Sequence, residues 1–549
     1  MKNIALFFFI GIILQLNCHP CGTDLINIKP HKIKISEDEK QKRRLNDFWK
    51  PIKIKVDMKQ IKAQNILDDS TIENLEEIFN EVTDTFSSIL SVIRYVVTDG
   101  ISENINKYCG ITEMEDETKK GFVNSDIFIF PMIDDSLSNG VLAAAAPCLI
   151  SQSYRPMAGI VLINRHLSLN KRNDFNYYMK NLLLHELTHV LGFHPIFFNN
   201  LNLIYTETSN TYINSPKALE KAKIHFGCNN IKGIQLENQG GTGSIGSHWE
   251  SRYMLGDYMI SSDYTDVVIS DITLAVLEDT KFYKVNYYTG GLFRFGKNQG
   301  CSFLHKKCLY NKGEDTLFEN EFCTNPGEAF CSSSHLSKGI CYIVKYNYRI
   351  DSKFRYYDDP LKGGYIPADY CPVSNLFKSD LDNNYYYPKS CKYGKTEFEN
   401  EVIGSNSICF ESSISLSSTN SICYKMSCDK TNKKINIIIG TKTIVCPGNE
   451  DILINPGGLT GTINCPDYNN VCTSNIDCYD IYDCVNKKST ADLDTYYYNN
   501  SSLKQALLEK DQYNLGIKDD IFENKSKFYS RQKLFLKNIF LLLALLNIF

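Results

Sequence analysis

The hydrophobic pattern of the first third of the chain predicts several strands and a long helix. Residues 51–57 alternate apolar and polar side chains, as a half-buried strand does. Residues 126–130 and 159–163 are rich in β-branched and aromatic side chains, which predicts two buried strands. A capping box at residues 70–73 opens a predicted helix with one apolar face, made of Ile72, Leu75, Phe79, Val82, Phe86 and Ile93.

A second helical pattern follows these strands. Five apolar side chains recur at helical spacing: Phe175, Tyr178, Leu182, Leu183 and Val190. Gly192 stands where such a helix would end. Strands that precede a long helix are typical of α/β or α+β domains.

This second helix carries His185, Glu186 and His189, an H-E-x-x-H pattern. The two histidines lie one helical turn apart on the same face, so both imidazoles can ligate one metal ion. Glu186 is turned away from them and can accept a proton from a water that zinc activates. The competing interpretation is an amphipathic helix with two surface histidines.

The chain changes character after this helix. Residues 195–246 predict mostly loop, and residues 240–246 are especially rich in glycine. Residues 272–278 form an apolar helix candidate. Beyond Cys301 the sequence is rich in Cys, Tyr and Gly, with short strand-like runs such as residues 435–439.

Composition narrows the class of protein. The chain has 549 residues, 43% hydrophobic and 22% charged, which are globular values compatible with two to four domains. A net charge of −4 provides no basic field, so we expect no nucleic-acid partner. Fifteen of the 20 cysteines lie between Cys301 and Cys484, which favours a disulfide-bonded module in an oxidising compartment.

The N-terminal sequence predicts export. Residues 1–18 combine Lys2 with an apolar run at residues 4–14, as a signal peptide does. Residues 19–44 are polar and end in a basic cluster at 40–44, which favours either a short pro-segment or a solvated linker.

The C-terminal sequence predicts a membrane anchor. Residues 491–530 form a polar tail with glycosylation sequons at Asn499, Asn500 and Asn524. Residues 531–549 are apolar and fit the removable tail of a glycosylphosphatidylinositol (GPI) signal, with Asn524 or Ser526 as acceptor. A single C-terminal span and a buried helix are the alternatives.

Several motifs in order resemble the leishmanolysin family of surface metalloproteases, in the metzincin clan. The short metzincin motif would place its third histidine at position 195, which is Pro195. In the leishmanolysin pattern an insertion precedes the third histidine, and residues 243–250 match that segment with His248 followed by Trp and Glu. Met259 follows at the family's Met-turn spacing, and residues 273–287 also look like the family's.

The resemblance implies a metzincin-like α+β catalytic domain with an inserted central domain and a disulfide-rich, β-rich C-terminal domain. We therefore expect boundaries at 45–194, 195–300 and 301–490. Cys109 and Cys148 look like the family's local disulfide. Without Cys18 and Cys21, eighteen cysteines remain, enough for nine bridges.

The same resemblance implies a cell-surface zinc endopeptidase that cleaves protein and peptide substrates. It assigns one zinc ion per chain to His185, His189 and His248, the role of general base to Glu186, and a place beneath the metal to Met259. His194 and Glu207 are rival third ligands. His19-Pro-Cys21 stands where the family has an inhibitory His-x-Cys motif, so Cys21 is a candidate cysteine switch.

A protease-like adhesin without strong catalytic activity is the alternative function. Loss of the general base or of a zinc ligand would mark such a protein. Glu186 and the three histidines are all present, which favours the enzyme.

Overall fold

The computed structural model describes most of the chain between residues 26 and 472. Its gaps are residues 27, 34–48, 95–96, 98–99, 138–140, 166–174, 242, 263, 265, 288–292, 376, 381–384, 389, 393, 405, 430, 449 and 455–458. The predicted signal peptide, Cys21, the basic cluster and the predicted anchor lie outside the described residues. No helix in the described part of the chain is long and apolar enough to cross a membrane.

A five-stranded sheet is formed by strands between residues 31 and 164. Its strands are β1 (His31–Ile33), β3 (Ile54–Val56), β5 (Ile127–Asp134), β6 (Ala143–Ser151) and β7 (Pro156–Asn164). The strand order is β1-β6-β7-β5-β3, in which only the pairing of β6 with β7 is antiparallel. The strands predicted at residues 126–130 and 159–163 are confirmed, whereas the run at 51–57 is divided between β2 (Lys50–Pro51) and β3.

Strand β1 belongs to the segment predicted as a pro-segment or linker. His31 pairs with Leu149 and Ile33 with Ser151, so β1 extends the sheet beyond β6. Ile33 is buried in an apolar cluster that also contains Phe128, Leu149 and Met157. Residues 31–33 of this predicted segment are therefore part of the sheet.

The first long helix is Asp69–Ile89. Its N-cap is Asp68, whose carboxylate accepts a hydrogen bond from the Thr71 amide at 2.8 Å, so the predicted capping box at 70–73 is wrong. The helix ends at Ile89 because β4 (Leu90–Val92) pairs with β2. Ile93 consequently lies outside the helix.

The H-E-x-x-H helix spans Phe175–Leu191 and lies directly against the sheet. Gly159 on β7 permits this approach, since a Cβ there would come within 2.3 Å of a Val190 methyl carbon. The helix ends at the predicted place, before Gly192.

Residues 195–246 contain more regular structure than the loop prediction allowed. A hairpin of β8 (Ile204–Glu207) and β9 (Asn210–Ile213) is followed by the helix Pro216–Phe226. Proline begins this helix, and Ala218, Ala222 and Phe226 are buried on one face. The loop prediction was therefore wrong for this hairpin and helix.

Most of the remaining elements before residue 400 are short. The other helices are Lys59–Ala63, Ile101–Asn104, Asp116–Lys119, Pro195–Asn200, Ser251–Met254, Asp271–Asp279, Gly300–His305 and Tyr468–Val471. Helical turns of other types lie at Ile105–Cys109, Asn311–Gly313, Ser352–Phe354 and Ile366–Ala368. The short strands are β10 (Ile234–Gln235), β11 (Lys284–Val285), β12 (Ile340–Cys341), β13 (Val344–Lys345), β14 (Lys362–Gly363), β15 (Ser374–Asn375), β16 (Phe377–Asp380) and β17 (Tyr385–Pro388).

A six-stranded antiparallel sheet confirms the predicted β-rich C-terminal region. Its strands are β18 (Ser407–Ser412), β19 (Asn420–Asp429), β20 (Lys434–Ile439), β21 (Lys442–Cys446), β22 (Glu450–Ile454) and β23 (Gly461–Cys465). The order is β21-β20-β19-β18-β23-β22. Alternate side chains of β20 are buried, which explains the strand-like sequence at 435–439.

Eight disulfides are formed in the described part of the chain. The Cys109–Cys148 bridge expected from the resemblance is present. Seven others are formed by Cys228–Cys301, Cys308–Cys371, Cys323–Cys341, Cys331–Cys409, Cys391–Cys423, Cys428–Cys472 and Cys446–Cys465. Cys478 and Cys484 lie outside the described residues, so a ninth bridge stays a prediction.

One apolar core crosses the expected limits between the catalytic and central regions. It contains buried side chains from Ile52 to Val373. Cys228–Cys301 and the helix Gly300–His305 also span the limit expected at 300. The domain boundaries stay predictions, but side chains from all three predicted regions contribute to this core.

Candidate metal centre

The H-E-x-x-H helix is buried on every side over its second half. Every residue from Leu182 to Leu191 is buried, including Glu186 and His189, and His185 is only 7% exposed. A surface amphipathic helix would leave its polar side chains in water. The interpretation of the motif as two surface histidines is therefore wrong.

Three imidazoles meet at one point in this buried region. The Nε2 atoms of His185 and His189 are 3.0 Å apart, and the Nε2 atom of His248 lies 3.1 and 3.2 Å from them. These are the only residues in the described part of the chain that form a cluster of three potential His, Cys or carboxylate metal ligands. The loop carrying His248 thus folds back onto the helix.

The opposite ring nitrogens are held by hydrogen bonds. The Nδ1–H group of His185 donates to the Tyr258 carbonyl at 2.6 Å, and that of His189 donates to the Phe193 carbonyl at 2.7 Å. His248 donates from Nδ1 to the Ser244 carbonyl at 3.1 Å. Because each Nδ1 carries the proton, each Nε2 presents a lone pair to the shared point.

This donor set fits a zinc ion. Zinc–nitrogen bonds of about 2.0–2.1 Å in a tetrahedral arrangement place the ligand nitrogens roughly 3.3 Å apart, close to the distances found here. Burial lowers the pKa of His185 to about 4 and that of His189 well below its usual value. The imidazoles of His185 and His189 are therefore neutral near pH 7, the protonation state that metal ligation requires.

A tight turn at residues 257–260 holds the ring of His185 by a hydrogen bond. The Tyr258 carbonyl accepts the bond from His185, and the Tyr258 hydroxyl lies 2.9 Å from the hydroxyl of Thr188 on the same helix. Met259 is fully buried, and its carbonyl accepts a hydrogen bond from the Trp249 amide at 2.9 Å. The turn thus contacts both the helix and the residue that follows His248.

Asp257 organises this turn and was not found from the sequence. Its carboxylate accepts hydrogen bonds from the Met259 amide at 2.7 Å, the Thr273 hydroxyl at 2.8 Å and the Ser270 amide at 3.3 Å. The Thr273 hydroxyl in turn accepts a bond from the Trp249 indole N–H at 2.7 Å. The available sequence signal was a carboxylate two residues before Met259.

The two rival third ligands have other positions in the structure. His194 is the N-cap of the helix Pro195–Asn200, and its Nδ1 accepts a hydrogen bond from the Ile196 amide at 3.1 Å. Glu207 is exposed at the end of β8. Neither belongs to the cluster of three histidines.

We expect Asp257→Ala to weaken zinc binding by about 10-fold or more. This is the lower end of the usual effect of losing a residue that supports the metal ligands without binding the metal. The substitution removes an acceptor from three buried donors, which costs roughly 2–4 kcal/mol of unfolding free energy. Competition titration with a zinc chelator and urea unfolding measure the two effects. Asp257→Asn keeps one acceptor oxygen and is the matched control. Unchanged zinc affinity in Asp257→Ala would remove this residue from the support of the site.

Comparison with known proteins agrees with these motifs. A family model described as leishmanolysin (Peptidase_M8) matches residues 36–478. The leishmanolysin homolog of Crithidia fasciculata is 27% identical over 396 residues, which cover 68% of this chain and 59% of that protein. Leishmanolysin of Leishmania major is 25% identical over 404 residues, covering 68% and 64%. A leishmanolysin-like peptidase of Caenorhabditis briggsae is 31% identical over 222 residues, covering 36% and 34%. The chain covers less than two thirds of the length of each of these relatives.

Proposed function

Because the chain belongs to the leishmanolysin family, we propose that it is a zinc endopeptidase that hydrolyses peptide bonds in proteins. The convergence of three buried Nε2 atoms on one point is the observation that carries this proposal. His185, His189 and His248 hold one zinc ion per chain. A zinc ion held by these residues would supply Lewis acidity, which would polarise a carbonyl and lower the pKa of a water molecule to about 7.

Glu186 is the general base in the proposed reaction. It directly follows His185 on the helix, and its side chain is fully buried. A carboxylate in this position accepts the proton of the attacking water and delivers it to the leaving amine. Met259 contributes packing beneath the histidines and no ligand atom.

Metal analysis combined with proteolysis tests the proposal directly. Purified protein should contain one equivalent of zinc and should digest casein, and a chelator should remove both properties. Re-addition of zinc should restore digestion. Stoichiometric zinc without hydrolysis of casein or of a peptide library would favour the adhesin alternative. Absence of zinc from correctly folded protein would overturn the metal assignment.

We also propose that the protein is exported and held at the cell surface by a GPI anchor. The apolar run at residues 4–14, the disulfides and the apolar sequence at 531–549 support this location. Phosphatidylinositol-specific phospholipase C should release the protein from intact cells. Membrane-retained protein that still yields peptides from residues 541–549 would instead indicate a spanning or interfacial segment.

Latency through Cys21 is a further part of the proposal. A thiolate at Cys21 would take the open position on zinc until the segment before the basic cluster is removed. The His19-Pro-Cys21 sequence upstream of residues 40–44 supports it. Uncleaved Cys21→Ser protein should then be more active than uncleaved wild type. Equal activity of the two forms would contradict the switch.

A further inference from the structure

A short extended segment at residues 235–239 connects the third histidine with the Cys-rich region. The Glu237 amide donates to the His248 carbonyl at 2.9 Å, and the Gly246 amide donates back to the Glu237 carbonyl at 2.9 Å. The Glu250 amide donates to the Gln235 carbonyl at 3.1 Å. The backbone on both sides of His248 is therefore held by this segment.

Gln239 ties the far end of the segment to the C-terminal part of the chain. Its side-chain amide donates to the Asp369 carboxylate at 2.6 Å and to the Ile366 carbonyl at 3.4 Å. Its backbone amide donates to the Glu237 carboxylate at 2.8 Å. Gln239 thus contacts both Asp369 and the residue that holds the His248 carbonyl.

Asp369 is itself firmly positioned. It follows the helical turn Ile366–Ala368, has a left-handed φ of 54°, and stands two residues before Cys371. Cys371 is bonded to Cys308 and is fully buried. Asp369, the partner of Gln239, therefore lies on a segment that the Cys308–Cys371 disulfide holds in place.

The electrostatic surroundings explain why a neutral donor is needed at position 239. Glu237 and Glu250 are almost completely buried, and Asp369 lies close enough to interact electrostatically with both. Arg252 is the buried cation among them, and it donates to the carbonyls of Phe303 and Lys306. A carboxylate at position 239 would stand against the carboxylates of Asp369 and Glu237, and Arg252 and Lys353 are the cations that act on Asp369.

We propose that Gln239 is a positioning residue for His248, through which the Cys-rich region fixes the third zinc ligand. This inference rests on the proposed zinc site and adds that residues 366–371 are part of its support. It acts through the backbone of Glu237 and Gly246, not through contact with zinc or substrate. We expect a substitution at Gln239 to lower zinc affinity. A second substitution at Asp369 that re-forms the hydrogen bond in the opposite direction should raise it again.

A swapped pair of variants tests the inference. Gln239→Glu places two carboxylates against each other and should weaken zinc binding by about 10–100-fold, the range for loss of an outer partner. Asp369→Asn alone should weaken it less. In the double variant Gln239→Glu/Asp369→Asn the amide donates to the carboxylate in the opposite direction, so zinc affinity should return to within about 3-fold of wild type.

Zinc affinity is measured by chelator competition on the full chain, with thermal unfolding followed in parallel. Asp358→Asn is the matched control, because it breaks an exposed ion pair with Lys312 in the same region and should leave zinc affinity unchanged. Normal zinc affinity in folded Gln239→Glu, or no recovery in the double variant, would overturn the inference. If Gln239→Glu does not fold, failure of the double variant to bind zinc normally also overturns it. A folded wild type that binds no zinc would contradict the proposed function instead.

Discussion

Glu186→Gln should retain one zinc ion per chain and lose most of its peptide hydrolysis. The three Nε2 atoms already provide a ligand set without this carboxylate, so its removal leaves the metal site intact. General acid–base catalysis typically contributes 10²–10⁴-fold, and we expect a fall in kcat within about that range. Glutamine has nearly the same shape and fits the same buried position, but it cannot accept the proton.

Zinc analysis and hydrolysis of a fluorogenic peptide, measured on the same preparation, separate the two roles. Glu207→Gln is the matched control, since it makes the same chemical change at an exposed position of β8. It should hydrolyse the peptide at the wild-type rate. Loss of zinc from Glu186→Gln, or turnover near that of wild type, would show that the role assigned to Glu186 is wrong.

The sequence was most informative where chemistry and periodicity coincide. The H-E-x-x-H helix, its end before Gly192 and the strands around residues 128 and 160 follow from local pattern alone. His248 is different, because its approach to the helix depends on a loop that closes over a long sequence separation. The family resemblance was needed to select it from His194 and Glu207.

The supporting network could not be predicted because it consists of hydrogen bonds between distant segments. Asp257 accepts hydrogen bonds from Met259, Ser270 and Thr273, and the Thr273 hydroxyl accepts one from Trp249. The Gln239 side chain bonds to Asp369 across 130 positions of sequence. Such contacts produce no periodic pattern in the sequence, because each depends on tertiary packing. The hairpin at residues 204–213 was missed for a related reason, because its side chains are mostly polar and half-exposed.

The Cys-rich region is therefore joined to the metal centre by specific polar contacts as well as by packing. The Cys308–Cys371 bridge holds the segment that contains Asp369, the hydrogen-bond partner of Gln239. Arg252, four residues after His248, donates hydrogen bonds to the carbonyls of residues 303 and 306. Both sets of contacts reach the backbone that carries the third histidine. We expect the geometry of the metal centre to depend on this region, although none of the three proposed ligands comes from it.

His248→Ala should lose both zinc and hydrolytic activity. A catalytic zinc site normally has three protein ligands, and His185 and His189 alone leave the ion under-coordinated. We expect zinc affinity to fall by more than about 100-fold, beyond the 10–100-fold typical for loss of an outer partner. Hydrolysis should fall to background at zinc concentrations that saturate the wild type.

The controls for this variant are His194→Ala and Glu207→Gln, which alter the two rival ligands and should both keep stoichiometric zinc. His194→Ala removes a helix cap and should lower only stability, by about 0.5–2 kcal/mol. Fluorescence of Trp249, fully buried beside the substituted residue, reports whether His248→Ala keeps its fold. A folded His248→Ala protein that retains stoichiometric zinc and cleaves peptides would contradict the three-histidine site. Since His185 and His189 would then need another partner, the metzincin-like arrangement proposed for this chain would fail with it.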